Sequence, residues 1–289
     1  MAAANMKDVK RRIKSVESTM QITKAMQLVA SSKMRRAKER AESVHPFFES
    51  IFQTMCDVSR DHEFRSVFTK KKFRNATLLV VIAGDRGLAG GFNHNVLKMA
   101  QARADELTQK GGEVEIMAIG RKAVEYFERR KFKLDEKDKY PNFAEGIDLP
   151  DVMTVAEDMI ERFRLGDFDE VELVYTTFMS VMTQEPQRMK ILPVENLEYL
   201  GTKQPMTIYD PSPEEVFDSL VPQYLCGMLY SAIIDSYASE QAARRTAMES
   251  ATDNAGEMID KLSLLYNLAR QAQITQEITE ISSASLNTD

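Results

Sequence analysis

Residues 6–37 read MKDVKRRIKSVESTMQITKAMQLVASSKMRRA and decide the fold of this chain. Mostly apolar side chains recur there at alternating spacings of three and four, and the pattern continues as far as residue 44. The positions are Met6, Val9, Ile13, Val16, Met20, Thr23, Gln27, Ala30, Met34, Ala37, Ala41 and Val44. This spacing keeps one narrow seam on one side of a helix, which is typical of a coiled coil.

A second seam of the same kind lies near the C-terminus. Its predicted positions are Met248, Ala251, Ala255, Met258, Leu262, Leu265, Ala269 and Ala272. Two such helices at opposite ends of one chain most simply pair antiparallel into a rod, with the rest of the chain inserted between them. We therefore divide the chain into an N-terminal helix (1–60), a globular domain (61–209) and a C-terminal helix (210–289).

The C-terminal helix has a clear predicted start. In SPEE, Ser212 is placed to cap the helix, Pro213 to be its first residue and Glu215 to be the capping partner. No strong stop follows before Ala284, so this helix is longer than the first one. We expect its last turns to project beyond the paired part.

Two polar residues, Thr23 and Gln27, interrupt the first seam. Polar seam positions fix the register of a coiled coil at some cost in stability. Met26 lies off the strict seam, and the pattern leaves open whether it faces another protein or packs at the flank of its partner helix.

The middle of the chain alternates strands and helices. Strands are predicted at 77–83, 113–120, 170–178 and 187–194, and helices at 96–110, 121–130 and 150–164. Such alternation predicts a Rossmann-like α/β domain with a small, mostly parallel sheet. The fold class is therefore α/β with a long antiparallel coiled coil.

Charge is unevenly distributed along the chain. Residues 1–44 contain eleven Lys or Arg against four Asp or Glu, a balance of +7, so the net charge of −6 leaves −13 for the rest. A basic helix either faces water or meets an acidic partner. A coiled-coil protein associated with nucleic acid is therefore one alternative function.

The loop GDRGLAGGFNHN (84–95) follows the first predicted strand. Its glycines permit the close backbone approach that phosphate-binding loops require. However, it lacks the Lys-Ser/Thr pair of a P-loop and the glycine spacing of a dinucleotide site. A structural or interface loop is favoured, and a nucleotide-binding α/β protein is the second alternative.

No group of residues predicts catalysis or metal binding. The two cysteines, Cys56 and Cys226, and the three separated histidines have no ligand spacing. We expect no catalytic residue, no metal and no cofactor in this chain.

The longest apolar run, 78–83, is far shorter than a bilayer span. The first seam starts almost at once, which predicts a mature cytoplasmic N-terminus of a bacterial protein.

Three segments carry a resemblance to a known family. Residues 6–37, the glycine loop 84–95 and SEQAARRTAMESATDNAGEMIDKLSLLYNLARQAQITQEITEI (239–281) resemble the gamma subunit of bacterial F-type ATP synthase. The resemblance implies that the paired helices form the central rotor shaft within the catalytic ring of alpha and beta subunits. Rotation of this shaft would couple proton flow to ATP synthesis or hydrolysis.

The resemblance also implies partners, a location and contact residues. The globular domain would contact the epsilon subunit and the c-ring, so the chain would be peripheral at the cytoplasmic face of the plasma (inner) membrane, without nucleic acid. Lys24 and Met26 would face an acidic loop of a beta subunit, and Asp85 and Arg86 would lie near the ring's rim. Residues within the upper part of the ring would be Arg270, Gln271, Thr275, Glu277 and Glu280. The chain departs from the family pattern at Ala89, where a cysteine is common, and in its final residues, SSASLNTD.

Overall fold

A computed structural model describes residues 2–59, 64–70, 74–130, 132–143, 145, 147–195 and 208–286, without the side chains of 2–5 and 283–286. The chain forms two compact units. Unit 1 contains residues 1–30 and 244–289, and unit 2 contains residues 31–243. The domain boundaries proposed at 60 and 210 stay predictions, because these units divide within the long helices.

The described elements follow the predicted order. In sequence they are α1 (Ala2–Val58), β1 (Ala76–Ile82), α2 (Phe92–Gln109), β2 (Glu113–Ile119), α3 (Arg121–Glu128), a short 3-10 turn (Glu136–Asp138), β3 (Lys139–Tyr140), α4 (Leu149–Leu165), β4 (Glu170–Phe178), β5 (Gln184–Leu192) and α5 (Pro213–Leu286). The prediction that α5 is longer than α1 is confirmed, at 74 against 57 residues. The sequence did not predict β3, and it placed the start of β5 three residues too late.

The sheet of unit 2 has the strand order β3-β2-β1-β4-β5. The pairs β3–β2, β2–β1 and β1–β4 are parallel, which confirms a mostly parallel sheet, and β5 is antiparallel to β4. The short link 179–183 between β4 and β5 permits only a hairpin, because a parallel crossover needs a much longer connection. Pro186, which has no N–H to donate, lies in the outer strand β5.

Both faces of the sheet are covered within unit 2. Leu78, Val80 and Ile82 of β1 face a core formed with α4 and the unit 2 parts of α1 and α5. Leu79 and Val81 face the opposite core, formed with α2 and α3. All seven residues of β1 are buried, as its continuous apolar run predicts.

Two local contacts of α5 concern its approach to α1 and its first turn. A Cβ atom on Gly227 would lie 2.2 Å from the Phe48 ring, so α1 and α5 approach closely there. At the start of the helix, the Glu215 N–H donates to the Ser212 hydroxyl at 3.2 Å. The predicted N-cap is therefore confirmed.

The α1 seam of unit 1 agrees with the prediction. Between residues 6 and 25, the only residues that are not exposed are Met6, Val9, Ile13, Val16, Met20 and Thr23. Thr23 and Ala30 are buried. One narrow stripe of α1 therefore packs, and the remaining surface faces outward.

After Ala255 the predicted α5 seam is only partly right: Leu262 is buried and Ala269 is partly buried, but Met258, Leu265 and Ala272 are exposed. Met258 is 45% exposed and Leu265 is 54% exposed, whereas their neighbours Ile259 and Tyr266 are partly buried. Two apolar stripes run side by side here and share Leu262, so apolarity alone did not select between them. Every described position from 274 to 282 is exposed, as expected for an end that projects beyond its partner.

Candidate functional site

The two α1 residues predicted to contact a partner differ in burial. Lys24 is exposed and Met26 is half-buried within unit 1. Met26 is therefore partly packed against its own unit, and part of its side chain remains available to another protein. The ammonium group of Lys24 faces water.

The predicted contact residues near the end of α5 are all exposed. They are Arg270, Gln271, Thr275, Glu277 and Glu280. Their contacts are local to the helix: the Thr275 hydroxyl donates to the Gln271 carbonyl at 2.9 Å, and Gln273 Nε2 donates to Glu277 Oε1 at 2.9 Å. Such one-turn contacts hold side chains on the helix surface and leave their outward side open.

Unit 1 also exposes many large apolar side chains. On α1 these are Ile22, Leu28 and Val29, and on α5 they are Met258, Leu264, Leu265, Leu268, Ile274, Ile278 and Ile281. Exposed apolar groups on this scale mark a surface that contacts other molecules. The exposed surface of α1 additionally carries Lys7, Lys10, Arg11, Arg12, Lys14 and Lys24. The basic residues named here lie on α1, whereas seven of the ten exposed apolar residues lie on α5.

The carboxylate of Asp85, in the glycine loop, accepts hydrogen bonds from other parts of unit 2. Its Oδ1 accepts hydrogen bonds from the backbone N–H of Arg121 at 2.8 Å and from that of Asn142 at 2.7 Å. The first of these groups lies at the start of α3, where a carboxylate is favourable. Asp85 thus ties the glycine loop to α3 and to the turn after β3.

Arg86 projects from the same loop. Its side chain is 74% exposed, and Nη2 lies 3.3 Å from Glu145 Oε2. Glu145 also forms an ion pair with Lys33 of α1. One carboxylate therefore lies between two cations from different elements of unit 2.

The end of β1 is where an open α/β sheet would bind a ligand, because β1 lies between strands on which the chain order reverses. That position is filled from within unit 2. A Cβ atom on Gly84 would lie 2.7 Å from the carboxyl carbon of Glu240, a residue of α5 that is only 4% exposed. Nearby, the Thr176 N–H of β4 donates to the Ser236 hydroxyl at 2.9 Å. The Glu240 side chain therefore occupies the space beside Gly84, and the glycine loop packs against α5.

A second polar cluster lies under α4. Carboxylate oxygens of Glu115, Asp135 and Asp138 come within 4.8 Å of one another. Arg162 donates to Glu115 and, at 2.8 Å, to Asp138 Oδ1, and Lys133 Nζ lies 3.0 Å from Glu115. Burial raises the pKa of the fully buried Asp138 carboxyl to about 6, although the Arg162 charge opposes this. Because protein cations already pair with two of these carboxylates, we assign the cluster a structural role.

Sequence reasoning missed Glu145, Glu240 and the Arg162 cluster. No signal for Glu240 was present in the sequence, because SYASEQAARR (236–245) is rich in polar and charged residues, and buried helices are normally hydrophobic all round. Ser236, Ser239, Glu240 and Gln241 are nevertheless buried in the folded chain. Glu145 and Arg162 acquire their partners only through the tertiary fold.

Among the described residues, no helix combines the length and apolarity that a membrane crossing requires.

These features define a class of protein that acts through contact surfaces on its paired terminal helices. Comparison with known proteins identifies the family within this class. Residues 5–285 match the family model described as ATP synthase. The chain is 79% identical over 284 residues to the ATP synthase gamma chain of Ruminococcus albus, covering 98% of this chain and 99% of that protein. It is 40% identical over 299 residues to the sodium-ion-specific gamma chain of Acetobacterium woodii, with 96% and 97% covered.

Solved structures agree with these relatives. A chain from the central stalk and c-ring structure of Tetrahymena thermophila mitochondrial ATP synthase matches with a TM-score of 0.61 and 26% identity, over 80% of this chain and 99% of that one. A chain of the Euglena gracilis mitochondrial enzyme, at 17% identity, a TM-score of 0.65 and coverage of 99% and 95%, supports the fold alone. The chain therefore belongs to the ATP synthase gamma chain family.

Proposed function

We propose that this chain is the central rotor shaft of an F-type ATP synthase and couples transmembrane proton flow to ATP synthesis or hydrolysis. The observation that carries this proposal is the near full-length match to gamma chains, in which the paired helical ends are included. The exposed surfaces of unit 1 support it, since they need partners.

The proposed mechanism depends on the different exposed residues of the two helices in unit 1. A partner changes a conformational equilibrium only by its differential affinity for the states. A helix pair with most of its exposed basic residues on α1 and most of its exposed leucines on α5 would present a different surface to each of three equivalent catalytic subunits. Turning the pair would change which subunit is open, and this chain would not need to touch the nucleotide.

The contact residues have separate roles in this proposal. Lys24 and Met26 would meet an acidic loop of a beta subunit, and Arg86 would lie near the rim of the ring. Asp85 would contribute by holding the loop that carries Arg86. Within the upper part of the ring would lie Arg270, Gln271, Thr275, Glu277 and Glu280. Complementary charge at such contacts sets orientation and association rate more than affinity.

The remaining partners follow from the same proposal. The alpha and beta subunits would surround unit 1, and the epsilon subunit and the c-ring would contact unit 2. The chain would then be peripheral at the cytoplasmic face of the plasma membrane, attached through the membrane sector. It would contribute no catalytic group and bind no cofactor, and the position of Glu240 at the glycine loop supports the absence of a nucleotide there.

Reconstitution tests the proposed function. Membranes that contain every other subunit of the complex but lack the gamma chain should regain ATP synthesis and ATP-driven proton pumping when this chain is supplied during assembly. The alpha and beta subunits alone serve as the control for uncoupled ATP hydrolysis. Hydrolysis without any proton pumping after correct assembly would refute the proposal.

A further inference from the structure

A cavity of about 220 Å³ in unit 2 lies beside α1. Three cationic side chains line it, Lys33, Arg36 and Arg40, together with the carboxylate of Glu145. Its remaining walls are apolar or aromatic: Ala37, Ile147, Ile234 and Tyr237. The site lies outside the contact residues assigned above.

The charges around this cavity are unbalanced. Lys33, Arg36 and Arg40 follow one another at spacings of three and four, so like charges lie on adjacent turns of one helix face, which is destabilising. Among the described lining residues Glu145 is the only one with a carboxylate, and it already pairs with Lys33 and with Arg86 outside the cavity. Among the described residues, neither Arg36 nor Arg40 has an ion-pair partner. The cavity therefore has an excess of positive charge.

The chemistry of the lining selects the kind of ligand. Guanidinium groups match the geometry of tetrahedral oxyanions and bind them through charge-assisted hydrogen bonds. Arg36 and Arg40 are themselves exposed to solvent, and they share the lining with Ala37, Ile147 and Ile234. A small, highly charged oxyanion matches the cations, whereas an apolar ligand would leave them without partners.

We propose that this cavity is a binding site for inorganic phosphate or a similar phosphate-type oxyanion. Arg36 and Arg40 supply the main contacts, and Lys33 divides its charge between the anion and Glu145. Glu145 acts as an internal competitor, because its carboxylate occupies cations that would otherwise bind the ligand. The site is separate from the glycine loop, where Glu240 fills the corresponding space.

Calorimetry of the purified full-length chain tests this site. Inorganic phosphate is titrated at constant ionic strength, with chloride as the reference anion. We expect saturable binding of one phosphate per chain. The double variant Arg36→Gln/Arg40→Gln should lose at least about tenfold in affinity. The matched control Arg12→Gln/Lys14→Gln removes two exposed cations of α1 far along the helix and should bind as the unchanged chain does.

A second variant keeps the test decisive if the double variant folds poorly. Glu145→Gln removes the competing carboxylate and should bind phosphate several-fold more tightly, which loss of a structural ion pair alone would not cause. Circular dichroism and melting temperature verify the fold of each variant. Phosphate heats equal to those of chloride, undiminished binding by the folded Arg36→Gln/Arg40→Gln variant, or weaker or unchanged binding by Glu145→Gln would each overturn the proposal.

Discussion

The hydroxyl oxygens of Thr23 and Thr252 lie 2.8 Å apart within unit 1, and so form a hydrogen bond between α1 and α5. Each hydroxyl also lies within hydrogen-bond distance of a carbonyl on its own helix, that of Met20 at 3.0 Å and that of Met248 at 2.8 Å. A hydrogen-bonded polar pair in an apolar seam is satisfied in only one alignment of the two helices. Thr252 is therefore the residue with which Thr23 would fix the register of the two helices.

This pair can be measured with valine substitutions, which preserve the side-chain shape. We expect Thr23→Val and Thr252→Val each to lower the free energy of unfolding by about 1 kcal/mol, and the double variant to cost less than the sum. Urea unfolding followed by circular dichroism measures this. Thr19→Val is the matched control, because the exposed Thr19 hydroxyl donates only to the Ser15 carbonyl of its own helix. Strict additivity of the two single effects would contradict the assigned pairing.

The corrected seam of α5 makes a second prediction. Leu262 is 8% exposed and Leu265 is 54% exposed. Leu262→Ala should therefore destabilise the free chain by about 2–3 kcal/mol, and Leu265→Ala by less than about 1 kcal/mol. Denaturant unfolding of the purified chain measures both, and equal costs would restore the original seam.

Close packing at the glycine loop gives a third prediction. Gly84→Ala would place a Cβ atom 2.7 Å from the Glu240 carboxyl group, so we expect a loss of about 1–3 kcal/mol in the free energy of unfolding. Gly87→Ala, in the same loop, meets no atom within 4 Å and should change that free energy by less than about 0.5 kcal/mol. If both alanines behave alike, Glu240 does not pack against Gly84 as described.

A fourth prediction concerns pH. The pKa of Asp138 is raised from 3.8 to about 6 in the folded chain, mainly by burial. Between these values the folded state holds a proton that the unfolded state has released, so this group lowers stability as pH rises, by at most about 1.4 kcal/mol per pH unit. Asp138→Asn removes this contribution. Its free energy of unfolding, measured at several pH values between about 4 and 6, should fall less steeply, or rise more steeply, with pH than that of the unchanged chain.

Glu106 provides a comparison of the opposite sign. Hydrogen bonds from Lys110 and Arg103 lower the pKa of Glu106 from 4.5 to about 2. Its contribution to stability is therefore present above its ordinary pKa and is lost as pH falls towards the folded value. Glu106→Gln should accordingly reduce the rise of stability with pH in that acidic range. The same direction of change in both variants would argue against the Asp138 assignment.

The fifth prediction concerns Met26 in the assembled complex. Met26→Lys adds a charge at a half-buried position beside the exposed Lys24, and it should impair proton pumping more than ATP hydrolysis. The number of protons pumped per ATP hydrolysed measures this. Gln21→Lys, at an exposed α1 position outside the predicted contacts, is the matched control. An unchanged ratio in Met26→Lys would count against a coupling contact at this residue.

The limits of sequence reasoning are clearest on the two long helices. The α1 seam was predictable because only one apolar stripe exists between Met6 and Thr23 and the opposite sides are charged. On α5, Met258 and Ile259, and likewise Leu265 and Tyr266, offered equivalent neighbours, so only tertiary packing could select the seam. Met258 and Leu265 are left exposed as a result.

The globular part shows the same division between local and long-range information. The strand β1 was predictable because it is buried on both faces and its sequence is therefore a continuous apolar run. The two-residue strand β3 pairs with β2 over Ala118 and Ile119 alone, so it has no pattern of its own. The predicted contact residues carry roles that come from family resemblance, whereas Glu240 at Gly84 is visible only in three dimensions.

The outer strands of the sheet bear on how the chain behaves before assembly. An exposed strand edge can pair with the edge of another molecule and begin aggregation. Here one edge is the two-residue β3, and the other is β5, which carries Pro186 and the charged side chains of Glu185 and Arg188. The proline and the charged side chains disfavour pairing along β5, and β3 is too short to pair over a long stretch. Identical copies are therefore discouraged from joining one another through the edges of their sheets.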